Sequence, residues 1–345
     1  MKCSGRRRQT LLSFLQMLSL LLPHESSPLQ YGSYKDVFSG GSPRKRSLSD
    51  LLSSPELYAA ALNMSVPEIR DKKMAHLQAS QKLHSSLASA SVDPKERHRL
   101  ICEHRFRWGR HPFTCNKCWS YSPICVCELA GTRRLLPPQI SVAVWTHHKE
   151  WGLTSNTGSL LSITLTPVKM LMKGLPAHDK WLNQVVGTSP TEKSIPVVLW
   201  PTAPSSDDQS TQGNSMITVT EIRDFLADDE KNAITLIAVD GTWRNARRMV
   251  SKLPAHVRRL ELGYDSAFPR AQPKDEPVSL LAPLRKRKGG LKNGVCTVEA
   301  VVAALLSLGL SAQDADHVLD VARSKVDRTK RYRGKVDGSR LEGAP

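Results

Sequence analysis

Ile234-Thr-Leu-Ile-Ala-Val-Asp-Gly-Thr-Trp243 joins six uncharged, mostly apolar residues to an acid, a glycine, a hydroxyl and an indole. A run without polar alternation reads as a strand covered on both faces, the habit of parallel sheets. Ile140-Ser-Val-Ala-Val-Trp-Thr146 and Ile195-Pro-Val-Val-Leu-Trp200 read the same way, and Val257-Arg-Arg-Leu-Glu-Leu262 is a weaker fourth. Each is followed by polar residues and then a helical stretch, so the texture is that of an α/β domain. In such domains the loops after the strands hold the ligand.

Asp240, Thr242 and Trp243 therefore stand where chemistry is expected, because an acid placed at the end of an apolar strand is costly to bury without a use. The plainer role for Asp240 is to cap a helix over Arg244-Asn-Ala-Arg-Arg-Met-Val-Ser-Lys-Leu253. Ser155-Asn156-Thr157-Gly158 precedes another helical stretch, where it can cap the N-terminus or let a carboxylate or phosphate approach the backbone. His147 and His148 follow the first strand and read as solvated or capping residues rather than as metal ligands.

Cys115-Asn-Lys-Cys118-Trp-Ser-Tyr-Ser-Pro-Ile-Cys125-Val-Cys127 sets two close thiol pairs around a loop stiffened by Pro123. Paired cysteines at this spacing suit one tetrahedral zinc. Seven cysteines in 345 residues are too few for a disulfide-stapled scaffold. Cys3, Cys102 and Cys296 lie apart and read as plain thiols.

Lysine and arginine number 49 against 32 acids, a net charge of +17. That excess points to a polyanion, most simply nucleic acid. Arg285, Lys286, Arg287, Lys288 and Lys292 form an acid-free run, and residues 323–345 carry eight basic against three acidic side chains. Both read as contacts to RNA phosphates.

The first residues pair Lys2, Arg6, Arg7 and Arg8 with Leu11 to Leu22, with no acid before Glu25. The pattern resembles an organelle transit peptide and is too short to span a bilayer. An amphipathic surface helix is the alternative. Residues 26–90 are rich in serine and read as a mostly flexible extension, except for a helix over Val66 to Leu83 with Pro67 in its first turn. The expected organisation is an extension over 1–95, a cysteine module over 96–135, a catalytic domain over 136–322 and a basic tail over 323–345.

Taken in order, Cys-x2-Cys-x6-Cys-x-Cys, Ser-Asn-Thr-Gly, Asp-Gly-Thr-Trp and Cys296-Thr-Val-Glu-Ala300 resemble the DTW-domain tRNA-uridine aminocarboxypropyltransferases. The resemblance runs from about residue 105 to 335. It implies a SPOUT-like knotted parallel sheet with a small zinc-binding cysteine module on its N-terminal side. It also implies S-adenosylmethionine as donor, structural zinc on Cys115, Cys118, Cys125 and Cys127, and tRNA as substrate.

By the same resemblance, Asp240, Thr242 and Trp243 are catalytic. Ser155, Asn156, Thr157, Gly158, Pro201, Thr297, Glu299 and Ala300 surround the donor. Tyr121-Ser122 replaces the family's usual basic or polar residue before Pro123, and the loop after Pro201 is longer than the family's. The expected reaction transfers a 3-amino-3-carboxypropyl group to uridine N3. Its rivals are an RNA methyltransferase on the same scaffold and a zinc-dependent RNA-binding protein without catalysis. An intracellular protein, cytoplasmic or nuclear unless the leader directs it to an organelle, with no stable membrane association, fits this reading.

Overall fold

The protein is seen in a computed structural model that describes residues 55–88, 92–187, 193–201, 216–262, 279 and 295–332. The basic run Arg285 to Lys292, the leader and residues 333–345 lie outside them.

Three of the expected strands form the middle of one six-stranded sheet and the weaker one lies beside them. They are β2 (Ile140–Thr146), β5 (Ser194–Pro201), β7 (Ala233–Asp240) and β8 (Arg258–Leu262). Two strands of this sheet escape the sequence reading: β4 (Val168–Met172) and β6 (Met216–Ile217). They occupy the two edges of the order β4-β2-β7-β5-β8-β6, in which every pair is parallel. Edge strands need cover on fewer sides, so Lys169 interrupts one and the other shrinks to two residues. A separate parallel pair joins β1 (Arg134–Leu135) to β3 (Leu165–Thr166).

Alternation along the strands splits the core in two. Val142, Val144, Leu236, Ala238, Val197 and Leu199 face one layer. That layer contains α5 (Gly158–Thr164), α7 (Val219–Asp228), α9 (Thr297–Ser307) and α10 (Ala312–Tyr332). Ala143, Trp145, Ile237 and Val198 face the other, formed by α6 (Pro176–Gly187) and α8 (Trp243–Val250). Truncating a core residue such as Leu236, which is buried completely, costs about 2–5 kcal/mol in comparable cores.

Helix α10 carries Ala315, Val318, Ala322 and Val326 inward at helical spacing. Residues 323–332 are its second half, so they are not the start of a tail as the charge count suggests. The same inward face includes Lys325, which is buried.

The serine-rich stretch departs from expectation too. Helices α1 (Pro55–Leu62) and α2 (Val66–Ala88) pack Ala59 and Ile69 against Phe113 and Ile124 beside the cysteine loop. The Ser65 hydroxyl accepts from Glu68 N at 3.3 Å while Ser65 N donates to the Glu68 carboxylate at 2.7 Å, a capping box that starts α2. The helix expected over Val66 to Leu83 is present within α2, whereas residues 55–62, read as flexible extension, form a helix, and both are ordered by apolar docking. Helix α3 (Pro94–Trp108) follows, capped by Asp93 and ended at Gly109, whose φ of 64° suits a residue without Cβ. Helix α4 (Cys127–Ala130) is a single turn at the end of the cysteine loop. Among the described residues, no helix is long and apolar enough to cross a membrane.

Candidate active site and metal centre

The sheet register sets Asp240 beside Thr146 at the carboxyl ends of β7 and β2. The Asp240 side chain is 7% exposed. Its Oδ1 accepts from Thr297 Oγ1 at 2.9 Å, and its Oδ2 accepts from Asn156 Nδ2. Three separated motifs therefore meet at one carboxylate. Burial raises its pKa above the ordinary aspartate range, and the hydrogen bonds from Asn156 and Thr297 pull part of that rise back. Thr146 also pulls on it, and these two or three donors leave at least one lone pair to spare on a group with about four acceptor positions.

Asp240 does not cap α8. The residue at the cap is Thr242, whose carbonyl accepts from Ala246 N at 2.8 Å. Gly158 explains itself at this point: a Cβ there would lie 3.0 Å from Val144 Cγ1 and 3.4 Å from Asp240 Oδ2. Any side chain would press on the carboxylate's wall.

Asn156 is held as firmly as the group it binds. Its Oδ1 accepts from Ser159 N at 3.2 Å, and its carbonyl accepts from Lys325 Nζ at 2.6 Å. Lys325 Nζ also donates to the Cys118 carbonyl at 2.6 Å, and Ser159 Oγ donates to the same carbonyl at 3.1 Å. Desolvation lowers the Lys325 pKa to about 8, with the charges of Cys118 and Asp240 opposing the fall. Nothing in the sequence marks this lysine, which sits in a helix half made of basic residues.

The cysteine loop folds as the spacing suggests. The sulfurs of Cys115, Cys118, Cys125 and Cys127 all lie within 4.8 Å of one another. Cys115 and Cys127 are 3.6 Å apart, as are Cys118 and Cys125. That is too long for a disulfide and close to the edge of about 3.8 Å that a tetrahedron with Zn–S bonds of about 2.3 Å requires. The donor set and its spacing fit zinc. Hydrogen bonding from its three neighbours pulls the Cys118 thiol down, whereas the same crowding pushes Cys127 up.

The remaining motif residues divide. Trp243 opens α8, is 37% exposed and meets Trp200 edge to face with ring centres 6.1 Å apart. Arg259 stands 5.9 Å from the Trp200 ring on its way to the β8 end. Trp243 is thus partly exposed rather than enclosed in the core. Thr157 is buried against the base of α5. Pro201 ends β5.

Glu299 turns back to its own helix, accepting from Cys296 N at 2.7 Å and from Ser279 Oγ at 2.8 Å. It caps α9 rather than facing the Asp240 cluster. Ala300 is the next residue of that helix.

Two features were missed in the sequence. A cavity of about 380 Å³ opens beside the Asp240 backbone, lined by His147, Lys173, Asn245, Arg248, Ser251 and Lys252. His147 joins it to the site, since its N–H donates to the Asp240 carbonyl at 2.8 Å. Burial, then the nearby Lys173 charge, lowers the His147 pKa to about 4, so the cavity's cations are its lysines and its arginine. Glu150 is a second half-buried acid, its pKa raised by burial and by the Asp240 charge.

The DTW domain family matches residues 112–330, which span both clusters and every strand of the sheet. The chain belongs to the DTW domain family. That domain is the one found in tRNA-uridine aminocarboxypropyltransferases, and membership is consistent with a tRNA-modifying function. No curated protein and no solved structure matches the DTW chain. Helices α1 to α3 precede the matched region.

Proposed function

We propose that this protein transfers the 3-amino-3-carboxypropyl group of S-adenosylmethionine to N3 of a uridine in tRNA, leaving methylthioadenosine. The observation that carries the reading is the buried carboxylate of Asp240, gripped by Asn156 of one motif and Thr297 of another within a DTW domain. The parallel sheet with helices on both faces supports a SPOUT-like frame for it.

When bound, S-adenosylmethionine supplies a sulfonium that activates the adjacent methylene and leaves as a neutral thioether. Ser155 to Gly158, Pro201 and Thr297 would hold it, being the residues at the carboxyl ends of β2 and β5 and at the start of α9. Asp240 uses a spare lone pair to take the N3 proton as the N–C bond forms and the C–S bond breaks. Asn156 and Thr297 keep the carboxylate aimed, which matters because alignment is the largest contribution a protein makes to a displacement. Burial supports the role twice: it raises the affinity of Asp240 for a proton, and it keeps water from competing for the electrophile.

Trp243 stacks on the extruded uracil, a common use of an exposed indole in RNA recognition. Arg248, Lys252 and Lys173 hold the flanking phosphates. Zinc on the four cysteines is structural: through the Cys118 carbonyl it fixes Ser159 and Lys325, and through them Asn156.

The test is to incubate the zinc-loaded chain with unmodified tRNA and S-adenosylmethionine, digest the tRNA and weigh its nucleosides. A uridine heavier by an aminocarboxypropyl group, with methylthioadenosine released in equal amount, is expected. A uridine heavier by a methyl group, or tRNA bound but unchanged, would sink the reading.

A further inference from the structure

We propose that His98, Cys102 and His148 form a second metal site, separate from the four cysteines, that takes zinc through three protein ligands. Helix α3 places His98 and Cys102 four residues apart, one above the other on a single face. His148 comes to them from the turn after β2. The three donor atoms lie within 4.8 Å of one another.

The spacing is that of ligands around one ion. His98 Nε2 is 3.2 Å from His148 Nδ1, and Cys102 Sγ is 3.8 Å from His98 Nε2. Zinc bonds of about 2.0–2.1 Å to nitrogen and about 2.3 Å to sulfur give tetrahedral edges of about 3.4 Å between nitrogens and about 3.6 Å between nitrogen and sulfur. Two of the three edges stand within a few tenths of an ångström of these values, and the third, from Cys102 to His148, is no longer than 4.8 Å.

The surroundings hold the ligands in place. Gly174, with φ of 89°, lies so close that a Cβ there would come 2.2 Å from His98 Cε1 and 2.8 Å from Cys102 Sγ. The His148 carbonyl accepts from an Arg105 guanidinium nitrogen at 2.7 Å, which fixes the turn carrying the ring. Cys102 is buried and donates to the Lys173 carbonyl at 3.5 Å. Such outer contacts are what orient metal ligands.

Charge is balanced rather than prohibitive. Arg105 and Lys149 oppose a cation, whereas Asp179 and Glu103 favour it, and the Cys102 thiolate would add its own negative charge. Burial holds the His148 pKa down to about 3. The Cys102 thiol is raised to about 11, mainly by burial, and gives its proton to solvent when the ion binds.

His98 and Cys102 lie ahead of the matched family region and His148 lies inside it, so the site would join α3 of this chain to the DTW domain. An ion there would clip α3 to the turn that leads from β2 to Asn156. Its fourth position is left for water.

Elemental analysis of the full-length wild type, Cys102→Ser and His148→Gln tests it. About two zinc ions per wild-type chain are expected, falling to about one in each variant, with the fold retained by circular dichroism. Cobalt(II) substitution separates the two centres. The variants should keep the spectrum of a four-thiolate site and lose a component with one thiolate. A wild type that holds only one zinc, or a folded His148→Gln with undiminished metal, would overturn the site and make the cluster ordinary packing. Because the readout is metal content, it stands whatever the outcome of the tRNA assay.

Discussion

The Asp240 cluster and the cationic cavity beside it share a backbone hydrogen bond through His147, yet they are built on opposite terms. In the first, one carboxylate is enclosed, and one of the side chains that bind it, Asn156, is itself held by others. In the second, Lys173, Arg248 and Lys252 border an open cavity without a fixed acidic partner among its lining residues. A dry site concentrates large effects in few groups, because each charge there lacks solvent to replace it. A wet cationic rim spreads small effects over many, because each phosphate contact is screened and interchangeable.

The contrast breaks first at Asp240. Asp240→Asn keeps size and an acceptor oxygen but removes the charge, so turnover should fall about a hundredfold or more, the scale of a lost general base. Folding should not suffer. Because the folded state raises the pKa of this acid, its ionised form costs stability above the ordinary aspartate pKa, and the asparagine variant should melt no lower than wild type at neutral pH. The acidic limb of the wild-type kcat/KM profile should lie above about pH 4, the ordinary aspartate value, and vanish in the variant. Near-normal turnover would put Asp240 on the structural side of the comparison.

Lys325→Met sharpens it. The variant fills the same volume but leaves the Asn156 carbonyl without its ammonium donor and the Cys118 carbonyl with Ser159 Oγ alone, so stability should drop by about 2 kcal/mol in chemical denaturation. Turnover should fall about tenfold as Asn156 loosens. An unchanged denaturation midpoint would show that water replaces the ammonium and that the network is not enclosed.

The rim gives the smallest effect. Arg248→Gln with Lys252→Gln should weaken tRNA binding a few-fold and reduce the slope of log K against log salt by about 2, one per lost phosphate contact. Turnover at saturating tRNA should hold. A slope that does not move would remove these residues from the RNA path.

These regions were not equally legible in the sequence. Strands β2, β5 and β7 stood out because cover on both faces demands unbroken apolar runs, and the cysteine centre stood out because its ligands lie close together in the chain. Asp240 was visible through its contrast with the strand before it. Strands β4 and β6 hid because edge positions tolerate a lysine or a length of two residues. Helix α1 and the docking of α2 hid behind serine content, although the Ser65 and Glu68 capping pair was there to be read.

The partners of Asp240 were beyond reach for a different reason. Nothing local says that Asn156 and Thr297 converge on it from 84 and 57 residues away. Lys325 was misassigned because a buried lysine and a solvated one look alike in a basic helix.

Lys325 also sets an order of events during synthesis. Its partners Cys118 and Asn156 precede it by 207 and 169 residues, so they leave the ribosome long before it does. At several residues per second the wait exceeds the time in which strands and loops collapse. Throughout that interval the cysteine loop and the Asn156 turn lack their common donor, and Asp240 lacks the ammonium whose charge offsets its own. The sheet can close early, but the nascent chain completes its reactive centre only when α10 emerges and docks.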